Sequence, residues 1–195
     1  MLRVVPENPD AFDWTSLVGP AIGILALLFT IGSFWWLQAR QGRLRSYQPN
    51  TFAFAPNPRQ ALLRFPLVLF NTGAKPIVIL DLRLSFPTES GVAPLPWRSW
   101  RSQLRPDAGD PVRLPAVFSM PGRTAQQHFI EFGIDMKDPL PGIDLSISEY
   151  PVLVEVLLGH KKGWKPLLSF PLEGKHIEST GAYLAYSNTA LRPVS

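Results

Sequence analysis

A chain of 195 residues has room for one folded domain with an appendage, and its 46% hydrophobic and 17% charged side chains, against a soluble average of about 25% charged, point to a membrane segment. Cysteine is absent, which excludes disulfides, thiol chemistry, iron–sulfur clusters and Cys-type zinc sites, while 21 prolines argue against a helical bundle and for short strands joined by turns. The formal charge of +4 falls to +3 over the residues after position 45, too mild a balance for nucleic-acid binding, and no Asn-x-Ser/Thr sequon marks a glycosylated ectodomain.

Residues 1–13, MLRVVPENPDAFD, form a short tail with one arginine and three acids. Residues 14–39 then carry no charge, and this predicts a transmembrane helix. Trp14 and Trp35 are 21 positions apart, about 32 Å along a helix, close to a hydrocarbon core of about 30 Å. Tryptophan prefers the headgroup boundary, so Trp14 marks one interface and Trp35 with Trp36 the other. Pro20 falls early in the span, where it is tolerated. The leader is too acidic and the core too long for a cleaved signal peptide, and Leu37 stands where a cleavage site wants a small residue. An uncleaved anchor is expected.

Arg40, Arg43 and Arg45 crowd the second flank, against Arg3 alone on the first. Positive flanks stay in the cytoplasm, so the N-terminus is expected outside and the C-terminal domain inside a plasma (inner) membrane; the alternative is a signal-anchor with the domain outside. The same arginines are expected to touch membrane lipid. Ser16, Gly19, Gly23, Ala26, Thr30 and Ser33 recur at spacings of three and four, a small-residue stripe that suits close helix packing, either in a homodimer or with a partner helix. Small residues are also common in any membrane helix.

After a basic juxtamembrane linker at 40–49, residues 50–173 change to two-residue alternation and predict a β domain. TFAFAP is a first strand. LRFPLVLFN (63–71) is a covered strand in which Pro66 implies an edge or bulge. IVILDLRLSF (77–86) places Val78, Leu80, Leu82, Leu84 and Phe86 on one face. VRLPAVFS (112–119) is a short strand, and PGRTAQQHFIEFGI is a turn into a strand with Ile130, Phe132 and Ile134 inward. YPVLVEVLLG and KPLLSFPLE flank HKKGW as a hairpin. That is about seven strands, an antiparallel sandwich, with residues 174–195 as a polar tail that adds at most one more strand.

LVLFNTGAKPIVILDLRLSF resembles the hydrophobic strand, Asn-x-Gly turn and alternating strand of immunoglobulin-like and related adhesion-type sandwich modules, and MPGRTAQQHFIEF is similar to their Pro-Gly turn into a strand. The resemblance spans about residues 50–173, lacks the Cys…Trp…Cys core of antibody domains, and implies a fold rather than an activity.

Within the connection 87–111, PWRSWRSQLRPD reads as a short helix between Pro96 and Pro106. It would align Trp97, Trp100 and Leu104 beside a stripe of Arg98, Arg101 and Arg105. Such a basic amphipathic turn suits lipid headgroups or a partner; the plainer and favoured reading is a lid over an open end of the sandwich. His128, His160 and His176 show no ligand spacing, and Asp135, Asp138, Asp144 and Glu149 do not follow a calcium-loop order, so a solvated acidic loop is expected. Nucleophile-elbow, phosphate-loop and dinucleotide motifs are missing. The expectation is a non-enzymatic, cofactor-free binding or scaffolding module with an unidentified protein partner and no nucleic acid. Alternatives are a tethered hydrolase or carbohydrate-active domain facing outside, and a helper subunit acting through its transmembrane helix.

Overall fold

The computed structural model describes residues 15–57, 60–87, 93–105, 109–135, 149–173 and 184–188. Two compact units divide the chain, Met1–Arg40 and Gln41–Ser195.

In the first unit, α1 (Thr15–Phe34) continues into a π-helical turn, Trp35–Ala39. Leu17–Ala39 has a mean hydropathy of 2.1 and none of it is buried, so this one helix among the described residues is long and apolar enough to cross a membrane. Pro20 removes a single backbone donor without ending α1. The Arg40 N–H donates to the Trp35 carbonyl at 3.0 Å, and extended backbone at Arg40 (φ −66°, ψ 118°) turns the chain out of the helix.

The second unit contains β1 (Leu44–Ser46), β2 (Thr51–Asn57), β3 (Gln60–Asn71), β4 (Ile77–Ser85), β5 (Leu95–Arg101), β6 (Phe118–Met120), β7 (Ala125–Asp135), β8 (Glu149–Leu158), β9 (Trp164–Glu173) and β10 (Leu184–Ser187). Every pairing is antiparallel, in the order β10-β2-β3-β7-β5-β4-β8-β9, with β1 beside β2 on β3 and β6 beside β5 on β4. The linker expected at 40–49 thus supplies a strand of the sheet. Instead of the expected seven-strand immunoglobulin-like sandwich, the described residues build ten strands of a single nearly closed, barrel-like sheet.

The reason lies in β5. Its first residues pair with β4 (Leu95 opposite Leu84, Pro96 opposite Arg83), and from Trp97 on it pairs with β7. A bulge between Trp97 and Ser99 bends the strand at the handover, so the hydrogen-bonded sheet turns a corner where a sandwich would end. At the far side β1 lies close to β9 without joining it in a ladder.

Alternating side chains fill the interior. Tyr150, Val152, Val154, Val156 and Leu158 point in from β8, and Leu63, Phe65, Leu67 and Leu69 from β3. Phe65 stacks on Phe132 of β7 and meets Phe170 of β9 edge-on, both with centroids 5.5 Å apart, which ties opposite walls together. Pro66 lies where the outer edge of β3 is open, between the end of its pairing with β2 at Arg64 and the start of its pairing with β1 at Leu69.

In β4 the expected alternation is corrected. Ile77 and Ile79 are buried, Val78 and Leu80 are each 39% exposed, and only Leu82, Leu84 and Phe86 keep their assigned face. A bulge between Ile79 and Asp81 inserts Leu80 and reverses the parity. The strand expected at 112–119 shrinks to β6, preceded by exposed residues 111–117. Asp138 and Asp144 of the expected acidic loop lie outside the described residues.

Candidate functional site

The expected helix after Pro96 is replaced by β5 and the loop that follows it. Trp97 is core, and its indole N–H donates to the Ser99 carbonyl at 3.1 Å; it is not at a surface that a lipid could reach. Trp100 is half-buried, with its ring 5.0 Å from Trp97, 4.7 Å from Phe118 and 4.5 Å from His128. Arg98 is half-buried and Arg105 exposed. Arg101 donates to the Asp110 carbonyl at 3.1 Å, while the Ser102 hydroxyl and N–H donate to the Asp110 carboxylate at 2.5 and 3.0 Å. The Ser102 hydrogen bond, helped by Arg101 and Arg64, holds the Asp110 carboxyl below its ordinary 3.8 against the opposing effect of burial.

That clasp folds the loop over the outer face of β3, β7 and β5, where Arg64, Glu131 and Ser99 are register neighbours. Arg64 is only 1% exposed although it points away from the core. It donates to Glu131 at 2.5 Å and to the carbonyls of Gln103 and Leu104 at 3.2 and 3.1 Å, and Glu131 also accepts from the Ser99 hydroxyl at 2.9 Å. Sequence reasoning missed this row, because an arginine at an outward strand position gives no sign that a distant loop will cover it.

Beside the loop, Trp100, Arg101, Ser102, Pro111, Arg113, Gln127, His128 and Phe129 line a cavity of about 190 Å³. Trp100 and Arg113, both in its lining, exchange backbone hydrogen bonds of 2.8 and 3.1 Å. Trp100 Nε1, Arg101 Nε and His128 Nε2 are buried without a hydrogen-bond partner among the described residues. Burial pushes His128 below its ordinary 6.5, and the positive charge of Arg113 adds to that. Away from this cavity, on β4 and β8, Arg83 grips Glu155 at 2.7 and 3.2 Å, which, with a Ser85 hydroxyl at 2.6 Å, holds that carboxyl below its usual range. No group of three or more His, Cys, Asp or Glu that could hold a metal occurs among the described residues.

The sheet's proximal end, where the chain enters the second unit, is the other notable region. Gly42 and Gly73 approach so closely that a methyl group on either would lie inside the other's backbone, and Gly122 packs in the same way on Ala74. Arg43 N–H donates to the Thr72 hydroxyl at 2.9 Å, and Thr72 N–H donates to the Arg43 carbonyl at 3.1 Å. Asn71, fully buried, locks the turn by donating to the Lys75 and Met120 carbonyls (2.9 and 3.2 Å) and accepting the Gly73 N–H (2.9 Å). Next to this knot a cavity of about 170 Å³ has Leu44, Ile77, Val156, Leu158 and Leu167 as its apolar lining and Arg43, His160, Lys161 and Lys165 around them.

Of the residues expected at the membrane boundary, Trp35 and Trp36 are exposed on the π-helical turn, with the Arg40 guanidinium 4.1 Å from the Trp36 ring centroid. Arg43 and Arg45 are exposed, Arg45 on β1. Trp14 and the side chain of Ser16 lie outside the described residues. Gly19, Gly23, Ala26, Thr30 and Ser33 fall on α1, where the Thr30 hydroxyl is satisfied by the Ala26 carbonyl at 2.8 Å. No model of a known protein family matches the chain, and no curated protein does either.

Proposed function

We propose that the chain is a single-pass membrane protein whose apolar helix remains as an anchor, and whose β unit is a binding or scaffolding module at the inner face of a plasma membrane. The observation that carries the binding reading is the ridge at residues 111–117. Val112, Leu114 and Val117 are 54%, 75% and 61% exposed, on a backbone fixed by the Trp100–Arg113 bridge. Neighbouring apolar side chains held out from a fixed backbone are what a protein partner covers.

Tethering is the mechanism. Between Arg40 and the first sheet residue, Leu44, four residues span at most about 14 Å when extended. A module on so short a tether samples a thin layer beneath the bilayer, which raises its effective concentration toward a membrane partner. Retention of the helix is supported by its length and by the acidic leader; the inward orientation is supported by Arg40, Arg43 and Arg45.

Two experiments on the full chain test this. Ser169→Cys introduces a single thiol on an exposed position of β9, and a membrane-impermeant maleimide should label it only after lysis; labelling of intact cells reverses the orientation. A photo-crosslinking residue at Leu114, in intact membranes, should yield a discrete protein adduct. Adducts formed from Gly23 and never from Leu114 would favour a helper subunit that acts through its helix.

A further inference from the structure

Four turns separated in sequence meet at the proximal end of the sheet: residues 41–46, 71–77, 120–124 and 158–165. β1 pairs with the end of β3, Arg123 N–H reaches the Gly73 carbonyl at 2.8 Å, and Gly159 N–H reaches the Val78 carbonyl at 3.0 Å. These segments carry seven lysines and arginines and no acid. At the opposite end of β8 stands the exposed Glu149. Among the described residues, the turns gathered where the chain enters the second unit therefore carry positive charge alone.

Within that end the cations are not evenly spread. Arg43, Lys161 and Lys165, with His160, surround the cavity whose lining includes Leu44, Ile77 and Leu167. It lies where β1 approaches β9 without completing the ladder. Among the described residues no carboxylate pairs with these three cations. Its volume of about 170 Å³ matches roughly five or six water-sized groups at about 30 Å³ each, enough for a phosphoryl group and a few methylenes but not for an acyl chain.

We infer that this seam cavity is a binding site for the headgroup of one anionic phospholipid, its phosphate among Arg43, Lys161 and Lys165 and its first methylenes against Leu44 and Leu167. The inference rests on the anchor reading above, because the chain reaches Arg43 only three residues after Arg40, within about 11 Å of extended backbone. Phosphate chemistry has a second source in free phosphate. A leaflet supplies the apolar part that this lining fits; inorganic phosphate does not.

The test uses the full chain in neutral detergent, titrated with dihexanoyl-phosphatidylglycerol, dihexanoyl-phosphatidylcholine or inorganic phosphate, with bound adducts counted by native mass spectrometry. The phosphatidylglycerol should bind preferentially. Lys161→Gln with Lys165→Gln should weaken it by roughly tenfold or more. Lys75→Gln with Lys162→Gln removes the same charge from exposed positions of the same end outside the cavity, and should change binding less than about twofold. No preference for the anionic lipid overturns the proposal. Equal losses in the two double variants overturn it in favour of a diffuse field, and phosphate binding as tightly as the lipid overturns it in favour of a free-anion site. Extraction of membranes at alkaline pH tests the anchor separately, so the two readings fail independently.

Discussion

Arg64 and Glu131 show how much one outward pair can hold. Both are buried, the arginine bridges the sheet to the backbone of the loop at Gln103 and Leu104, and neither charge has water to fall back on. Glu131→Ala, which strands the guanidinium, should destabilise the second unit by about 3–5 kcal/mol, whereas Arg64→Met with Glu131→Leu should cost far less. Urea unfolding of the full chain followed by tryptophan fluorescence separates these outcomes. His128 makes a different prediction. Its pKa is lowered in the folded state, so between its ordinary 6.5 and that lower value the unfolded chain takes up a proton that the folded one refuses. Stability should be flat above about pH 6.5, fall as pH drops through that window, and then level off. Glu155 and Asp110, also lowered, add a second loss that starts near their ordinary 4.5 and 3.8. Melting temperatures from pH 7.5 to 5 should show the first step in the parent chain and lose it in His128→Phe.

Among the elements, β1 depends on a contact that only glycine permits. Gly42→Ala or Gly73→Ala forces the two backbones apart and should cost about 1–3 kcal/mol or more. Because β1 has just three residues, its release should appear as faster tryptic cleavage after Arg43 and Arg45 before any global unfolding. Gly163→Ala meets no neighbour and suffers only from the left-handed backbone (φ 69°), so it should cost about 1–2 kcal/mol and leave β1 protected. Elements without inward irregularities were legible from sequence: β8 keeps strict alternation from Tyr150 to Leu158, and its hairpin with β9 falls where the turn residues lie. The bulges were not. In β5 the extra residue between Trp97 and Ser99 brings Trp97 and Trp100 into contact on a strand, and a spacing of three looks the same as one face of a helix. Leu80 deceives in the same way in β4. The basic end was invisible because each contributing turn holds only one to three cations, and nothing in a single turn says which others it meets.

At the scale of the whole molecule, the apolar helix was the most legible feature, since an uncharged run needs no tertiary context to be recognised. Replacing Gly19 and Gly23 by leucine should abolish any crosslinked dimer formed through α1 while leaving the unfolding of the β unit unchanged; a dimer that survives must be held by another surface. The closure of the second unit has its own consequence. β10 pairs with the outer edge of β2, and beyond it the Asn188 side chain is buried on the Pro49 carbonyl at 3.1 Å, with its N–H on the Asn50 carbonyl at 2.7 Å. Partners at 49–57 and 184–188 are among the earliest and latest made parts of the unit. During synthesis the edge of β2 therefore stays uncovered while the chain between the two segments is translated. Completion of the sheet is thereby deferred by the fold itself: a nascent chain stalled before residue 184 would display a bare strand edge that a chaperone or a second nascent chain can pair with.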